Sequence, residues 1–375
     1  MTPSSRWRFF AFQAKCERID IFMRSASCRF AGAALSITGQ TRFLLHRLAA
    51  PKIITHRISP LTRRGFDMAA KAENAILISW INIGWEAVMG AQSKILSVGQ
   101  YKVYTETYWK GSEAKTILLV NGALSTTGSF GQTVKYLQPH YNLVLFDLPF
   151  SGQSRAHNPD DMIVSKEDEV NILLQLIDLY QVNHLLSVSW GGVSALLALS
   201  ECPPSVEKAI ISSFSPVLNE AMLDYIDNAQ IYLAAREKRK IGSLLNDTVG
   251  KYLPRLFKLY NYKHLISLAE HEYRQIDFHI SQIRKLSATN YVERFSSIKI
   301  PVLFINGEKD EYTTVEDARM FSNYIAKSSF NVVPDTGHFL DLESKAAWHH
   351  SQRTALTFLG TEATQQVWPS VTAMA

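Results

Sequence analysis

Cysteine is scarce in this 375-residue chain, which contains only Cys16, Cys28 and Cys202. Their spacing fits neither a disulfide framework nor the paired ligands of a zinc site. We therefore expect a fold without covalent cross-links and without a bound metal. A chain of this kind suits a reducing compartment, which we take to be the cytoplasm.

A long hydrophobic run is also missing. The most apolar stretch, residues 75–88, is interrupted by Asn82 and Glu86, and it is shorter than the roughly 20 residues that a membrane-spanning helix needs. The sequence therefore predicts no membrane span, and it contains no visible internal repeat. Hydrophobic residues still make up 46% of the chain, enough for the core of one large domain or two smaller ones.

Acidic residues are scarce only near the N-terminus. Residues 1–66 contain twelve Lys or Arg against two acids, Glu17 and Asp20, whereas residues 67–375 contain 27 basic and 32 acidic residues. The net charge of +5 therefore comes from this stretch, and it does not indicate a nucleic-acid partner for the folded body. The stretch resembles a transit peptide, but we favour a reading frame begun too far upstream or a disordered tail.

From about residue 95, short apolar runs alternate with helix-like stretches. Continuous apolar runs indicate strands buried on both faces, as in a parallel sheet. The sequence therefore predicts a doubly wound, mostly parallel α/β fold, in which the chemistry gathers at the carboxyl ends of the strands. The predicted strands are 116–120, 141–146, 184–188, 208–212, 300–305 and 329–333. The predicted helices between them are 129–137, 166–180, 192–200 and 315–325.

One interval breaks this alternation. Residues 216–297 contain several amphipathic helical stretches and no strand-like run, and an interval of about eighty residues is too long for a loop. We predict that it forms a helical cap over the active edge of a domain spanning residues 89–365. Residues 1–88 are then an N-terminal extension, and residues 366–375 a C-terminal tail.

The stretch SVSWGG, residues 187–192, lies between a predicted strand and a predicted helix. It nearly reads G-x-S-x-G, the turn that exposes a nucleophilic serine, except that Ser187 replaces the first glycine. Such a turn needs small flanking residues, and both Ser187 and Gly191 are small. We therefore predict that Ser189 is the nucleophile, and that Ser187 is a small residue that the turn permits.

A serine hydroxyl needs a base to take its proton, and the base needs an orienting acid. His338 follows the last predicted strand, and Asp310 follows the one before it. The order Ser189, Asp310, His338 is the chain order of the α/β-hydrolase triad. Glu308 and Glu311 are neighbouring rivals to Asp310.

Acyl transfer also needs donors for an oxyanion. We predict that these are the backbone N–H of Trp190, just after the nucleophile, and that of Ala123, in the loop after the first predicted strand. Asn121 and Gly122 in this loop are candidate substrate contacts. Phe150 is a third candidate, because its loop follows the next strand.

Several stretches resemble one small branch of the α/β-hydrolase superfamily. This branch holds the 3-hydroxyacyl-carrier-protein:CoA transacylases (PhaG) of polyhydroxyalkanoate synthesis and the 3-(3-hydroxyalkanoyloxy)alkanoate synthases (RhlA) of rhamnolipid synthesis. The resemblance extends over residues 99–359 and includes the cap interval. Residues 99–106, 212–216 and 261–264 look more like the transacylases. The stretches that carry the resemblance are 119–123, 146–154, 189–192, 219–225, 304–307, 310–314 and 337–341.

The resemblance implies a serine-dependent acyltransferase or thioesterase with the triad Ser189, Asp310 and His338. It would take (R)-3-hydroxyacyl groups from acyl carrier protein through an acyl-serine and pass them to CoA or water. The alternatives are transfer to a second 3-hydroxyacyl chain, an ordinary serine esterase, and a non-catalytic binding module. No bound cofactor is implied, because CoA and the carrier-protein thioester are substrates.

Carrier proteins are acidic, so a basic docking surface is expected on this chain. The cap interval contains a basic cluster, which is a candidate for that surface, although a solvated helix face would also be basic. The cluster consists of Arg236, Lys238, Arg239 and Lys240.

Overall fold

An eight-stranded sheet forms the centre of the structure. The computed structural model describes residues 90–360, so the predicted extension at 1–88 and tail at 366–375 lie outside the described residues. The strands are β1 Ala91–Val98, β2 Tyr101–Tyr108, β3 Thr116–Val120, β4 Asn142–Asp147, β5 His184–Val188, β6 Lys208–Ser212, β7 Val302–Gly307 and β8 Ser328–Val333. They lie in the order β1-β2-β4-β3-β5-β6-β7-β8.

The strands from β3 to β8 are parallel, whereas β1 and β2 form an antiparallel hairpin that joins the sheet through β4. Helices connect the parallel strands and lie on both faces. The predicted doubly wound, mostly parallel α/β fold is therefore confirmed. The helices are α1 Gly131–Leu137, α2 Lys166–Leu179, α3 Gly191–Ser200, α4 Glu220–Ala234, α5 Lys238–Asp247, α6 Arg255–Ile266, α7 Glu270–Ala288, α8 Val315–Arg319 and α9 Lys345–Leu359.

All six predicted strands are present, and β3, β5 and β6 have the predicted bounds. The sequence reasoning missed the β1–β2 hairpin and α9. Most of β1 is exposed, and β2 alternates buried and half-exposed positions, so neither has the continuous apolar run that marked the others. The edge strand β8 is half-buried up to Val333, which differs from the predicted burial on both faces.

Four helices, α4 to α7, occupy the chain between β6 and β7. Asn219 begins α4 by accepting a hydrogen bond from the Met222 N–H through its side chain (3.0 Å), a favourable N-cap. Met222 and Ile226 of α4 pack with Ile280 of α7 and with Tyr312, which follows β7. This packing places the helices over the carboxyl ends of the strands. Within residues 90–360, no helix is long and apolar enough to cross a membrane.

Candidate active site

Ser189 lies in a sharp turn between β5 and α3. Its φ of 55° is in the left-handed region, a conformation that costs a non-glycine residue free energy and that recurs at functional sites. The turn is held by the Ser189 N–H, which donates to the Ser212 carbonyl (2.8 Å), and by the Gly192 N–H, which donates to the Ser189 carbonyl (2.8 Å). A Cβ at Gly191 would lie 2.3 Å from the Asn121 carbonyl oxygen, so only glycine allows this approach.

Ser189, His338 and Asp310 form one hydrogen-bonded chain. His338 Nε2 lies 2.9 Å from Ser189 Oγ, and His338 Nδ1 lies 2.7 Å from Asp310 Oδ2. Both His338 and Asp310 are 4% exposed. With its proton on Nδ1, the imidazole donates to Asp310 and accepts from the Ser189 hydroxyl, which is the arrangement of a base paired with a nucleophile.

The loop after β7 keeps Asp310 charged. Asp310 Oδ1 accepts the Tyr312 N–H (3.0 Å) and the Thr313 N–H (3.2 Å), and Oδ2 accepts the Thr313 hydroxyl (2.6 Å). Burial alone would raise the pKa of Asp310, but the adjacent His338 and these donors hold that pKa below its usual range. The carboxylate is therefore ionised at neutral pH and able to stabilise an imidazolium.

The loop that carries His338 is fixed from three sides. The Ser213 hydroxyl donates to the His338 carbonyl (2.7 Å). Glu343 accepts the N–H groups on either side of His338, from Gly337 (2.7 Å) and Phe339 (2.9 Å). A Cβ at Gly307 would lie 2.0 Å from the Gly337 carbonyl oxygen, so glycine at the end of β7 lets the Asp310 and His338 loops meet.

The rival residues lie elsewhere. Glu308 is exposed and accepts the Asp335 N–H, and Glu311 is exposed and pairs with Lys251. Ser187 is fully buried within β5, and its hydroxyl has no hydrogen-bond partner among the described residues. The geometry therefore favours Asp310 over both glutamates and Ser189 over Ser187.

The predicted oxyanion donors lie beside Ser189. Ala123 and Trp190 line the same cavity as Ser189, and within residues 90–360 their backbone N–H groups donate to no other group. Asn121 is buried behind this loop, where its amide donates to the Phe146 carbonyl (2.8 Å) and its side-chain oxygen accepts from Ser129 (3.2 Å). Asn121 does not line the cavity, so its position is that of a residue that holds the loop, and not that of a substrate contact.

Asp147, at the end of β4, ties two loops of the site together. It accepts the Thr127 N–H (2.7 Å) from the loop after β3 and the Gln153 N–H (2.7 Å) from the loop after β4. Burial raises the pKa of Asp147 to about 6, although these donors oppose the shift. Sequence reasoning assigned no role to Asp147.

The cavity above Ser189 has a volume of about 320 Å³ and lies between the sheet edge and the helices α4 to α7. Its walls are mainly apolar, and the predicted contacts Gly122 and Phe150 belong to them. A polar part of the wall is formed by Arg155, whose guanidinium pairs with Glu272 (2.7 Å). A mainly apolar cavity with a few polar groups in its wall is typical of a site for a small organic ligand.

Residues 115–344 match the model of the α/β hydrolase fold family. The chain belongs to the α/β-hydrolase family.

Two curated relatives cover most of this α/β hydrolase. An (R)-3-hydroxydecanoyl-ACP:CoA transacylase of Pseudomonas aeruginosa is 49% identical over 282 residues, which is 75% of this chain and 94% of the relative. The protein with the same name in Pseudomonas putida is 52% identical over 261 residues, which is 70% of this chain and 88% of the relative. The α/β hydrolase is thus a homologue of these transacylases.

Solved structures of other α/β hydrolases share the fold. The enzyme MGS-M2 from a deep-sea metagenome library has a TM-score of 0.59 at 17% identity, covering 73% of this chain and all of the other. The enol-lactonase from Burkholderia xenovorans has a TM-score of 0.59 at 16% identity, covering 71% of this chain and 99% of the other. At such identities the likeness concerns the fold alone.

The basic cluster predicted for carrier docking lies on the surface of this α/β hydrolase, at the junction of α4 and α5. Arg236 pairs with Glu270 (3.4 Å) and Lys240 with Glu237 (2.6 Å). Lys238 donates to the Leu268 carbonyl (3.1 Å) and lies over the Tyr273 ring. Arg239 is exposed and forms no ion pair within residues 90–360. Three of the four positive charges are therefore already partnered.

Three residues that support the triad were not assigned roles from the sequence. Thr313 binds Asp310, Ser213 holds the carbonyl of His338, and Glu343 holds the backbone around His338. Asp310 itself gave a usable signal for this loop, because an Asp side chain in a turn often accepts the backbone N–H two residues on. Ser213 and Glu343 act on backbone atoms of a loop that only the fold brings near.

Proposed function

We propose that the chain transfers (R)-3-hydroxyacyl groups from acyl carrier protein to CoA through an acyl-serine on Ser189. The observation that carries this proposal is the connected Ser189–His338–Asp310 chain, with contacts of 2.9 and 2.7 Å, at the wall of an apolar cavity. The names of the two relatives at 49% and 52% identity supply the substrate class.

In the first half of the reaction, His338 Nε2 takes the proton from Ser189 Oγ as this oxygen attacks the thioester carbonyl. The negative charge that develops on the carbonyl oxygen is met by the N–H groups of Ala123 and Trp190, each worth about 3 kcal/mol in a preorganised site. As the intermediate collapses, the carbon–sulfur bond breaks, and the imidazolium gives its proton to the carrier-protein thiolate. Asp310 stabilises the imidazolium throughout.

The second half repeats these steps in reverse. His338 takes the proton from the thiol of CoA, the sulfur attacks the acyl-serine, and Ser189 leaves with the proton from His338. Water is the competing acceptor, and it would give the free 3-hydroxy acid. The apolar walls of the cavity favour the thiol, because they admit little water next to the acyl-serine.

Product analysis with purified protein tests this proposal. We expect 3-hydroxydecanoyl carrier protein to yield 3-hydroxydecanoyl-CoA in the presence of CoA. Free acid as the main product would make the protein a thioesterase, and the dimeric ester would make it a 3-(3-hydroxyalkanoyloxy)alkanoate synthase. Equal turnover of p-nitrophenyl esters and carrier thioesters would favour an ordinary esterase.

The variant Ser189→Ala tests the role of the nucleophile. We expect turnover to fall by about 10⁴-fold or more, because the chemistry then depends on the oxyanion donors and binding alone. Ser187→Ala is the matched control and should keep wild-type turnover, since Ser187 contacts neither the base nor the cavity. Near wild-type turnover in Ser189→Ala would refute the acyl-serine mechanism.

A further inference from the structure

A second cavity, of about 130 Å³, begins at the reaction centre and runs into the body of the protein. One side is the face of the sheet formed by Leu186, Ile210 and Ile305, on β5, β6 and β7. The opposite side is formed by residues of α1 and α9. The cavity lies below the carboxyl ends of the strands, and its inner wall consists of buried side chains.

This cavity adjoins the first one at the atoms that react. Both are lined by the loop of Gly122 and Ala123, which holds an oxyanion donor, and by His338 and Phe339. An acyl group on Ser189 has two directions in which to extend from its carbonyl carbon. One leads outward under the helices α4 to α7, and the other leads past His338 into the second cavity.

One part of the wall of the second cavity is polar. Among the described residues that line it, Asp341 is the one carboxylate. Asp341 Oδ2 accepts the Thr133 hydroxyl (2.6 Å) and the Tyr136 hydroxyl (3.3 Å). Burial raises the pKa of Asp341 to about 6, whereas the hydroxyls of Thr133, Tyr136 and Ser351 oppose the shift. The apolar wall is therefore interrupted by a carboxylate and the hydroxyls around it.

We propose that the second cavity holds the alkyl tail of the acyl group on Ser189, and that the polar part of its wall, formed by Asp341 and Ser351, limits the length of the chain accepted. This assignment rests on the proposed function, because it takes an acyl-serine as its occupant. The first cavity, which has the ion pair of Arg155 and Glu272 in its wall, then receives the thiol arm of the donor or acceptor.

The character of the cavity wall explains this assignment. Each methylene that leaves water for an apolar wall increases affinity about fourfold, so the tail gains with every carbon that meets the apolar face. A methylene placed against Asp341 would gain less, because a polar group buried beside an apolar one gains no hydrogen bond from it. Ala355 of α9, one turn after Ser351, lines the cavity with a small side chain and leaves room for the tail.

Alkyl fluorophosphonates of increasing chain length test the assignment directly on the full chain. Ser189 Oγ displaces fluoride from phosphorus while His338 takes the serine proton, so the labelling rate reports alkyl binding without carrier protein or CoA. We expect Ala355→Leu to reduce the ratio of decyl to butyl labelling rates at least tenfold. Ala229→Leu, the same change in the wall of the first cavity alone, should keep this ratio within about twofold.

If Ala355→Leu fails to fold, it will lose labelling by the butyl probe as well. A second variant then tests the assignment. Ser351→Ala removes a hydroxyl beside Asp341 from the wall of the second cavity, and it should raise the ratio of dodecyl to decyl labelling severalfold. An unchanged ratio in the folded variants, or a changed ratio in Ala229→Leu alone, would overturn the assignment. If the ratios change as expected but no acyl-CoA forms, the tail cavity stands and the proposed transacylation fails.

Discussion

Within residues 90–360, two buried carboxylate–histidine pairs can be compared, and one of them has a strained serine hydroxyl beside its imidazole. Asp310 pairs with His338 at the sheet edge, with 2.7 Å between the nearest oxygen and nitrogen. Glu169 of α2 pairs with His279 of α7, with 3.0 Å between Glu169 Oε1 and His279 Nε2, although these atoms are not oriented as in a hydrogen bond. Both carboxylates have a pKa below the usual range.

The partners of the two pairs differ. Glu169 is also held by Lys166 (2.7 Å) and by the Ser194 hydroxyl, so its charge is neutralised locally. Burial and the nearby Lys166 lower the pKa of His279, whereas Glu169 opposes that shift. The Glu169 pair connects α7 to the helices α2 and α3. We infer that it holds the helices over the site in place, and that a strained serine beside the imidazole is what gives the Asp310 pair its chemistry.

Asp310→Asn should have the largest effect on turnover. The amide favours the wrong tautomer of His338, and we expect turnover to fall by about 10⁴-fold while the fold is retained. Steady-state kinetics together with thermal unfolding would measure both. Glu311→Gln is the matched control, because Glu311 is exposed and pairs with Lys251. If turnover falls by a similar factor in Glu311→Gln, Asp310 is not established as the orienting acid.

Lys166→Met should instead affect stability. It leaves Glu169 buried without its compensating cation, which typically costs about 3–5 kcal/mol of unfolding free energy, while the folded fraction keeps turnover within about tenfold. Denaturant unfolding measures the first quantity. In the control Lys115→Met, the lost pair with Glu207 is about half exposed, and the cost should stay below about 1 kcal/mol. Equal losses in both variants would contradict a structural role for the buried pair.

The two pairs also differ in how far the sequence predicts them. Ser189, Asp310 and His338 each follow a predicted strand, and parallel strands end at one edge, so the topology alone brings the three together. Glu169 and His279 are far apart in the chain, and they meet because α7 packs against α2. Nothing in the residue pattern of α7 identifies its partner, so that contact required the structure.

The second cavity and the β1–β2 hairpin show the same contrast between features that the sequence predicts and features that require the structure. The stretch around His338 was predicted as a site, but Asp341 meets Thr133 only because α1 and the loop after β8 lie side by side. The strands β1 and β2 were missed because an exposed hairpin lacks the apolar run by which the buried strands were recognised. Periodicity and motif order therefore predict the triad, whereas packing between distant segments determines the cavities.

Acidification should also lower the contribution that the Glu169 pair makes to the free energy of unfolding. The pKa of His279 is lowered by folding, so the neutral form is favoured in the folded state, and this contribution to stability is lost as pH falls below the ordinary value of about 6.5. The lowered pKa of Glu169 adds a further loss as pH falls below its ordinary value of about 4.3. The contribution of His279 to the unfolding free energy should therefore decrease from pH 8 to pH 5, whereas the raised pKa values of Asp147 and Asp341 act in the opposite direction.

The variant His279→Gln isolates this contribution from the other buried histidines, His184 and His350, whose pKa values are also lowered by burial. The unfolding free energy of the wild type relative to the variant should fall from pH 8 to pH 5. A difference between the two proteins that does not change with pH would mean that His279 does not contribute to the acid sensitivity.

Charge at the surface of α5 should have the smallest effect, since neither pair depends on it. We propose that Arg239, the member of the predicted docking cluster that forms no ion pair or hydrogen bond within residues 90–360, attracts the acidic carrier protein. Arg239→Glu should then raise KM for the carrier thioester a fewfold at low salt, and the effect should fade as salt screens the charges. Lys327→Glu, the same reversal at an exposed position before β8, serves as the control. If KM is unchanged in Arg239→Glu, or rises equally in both variants, the docking cluster is excluded.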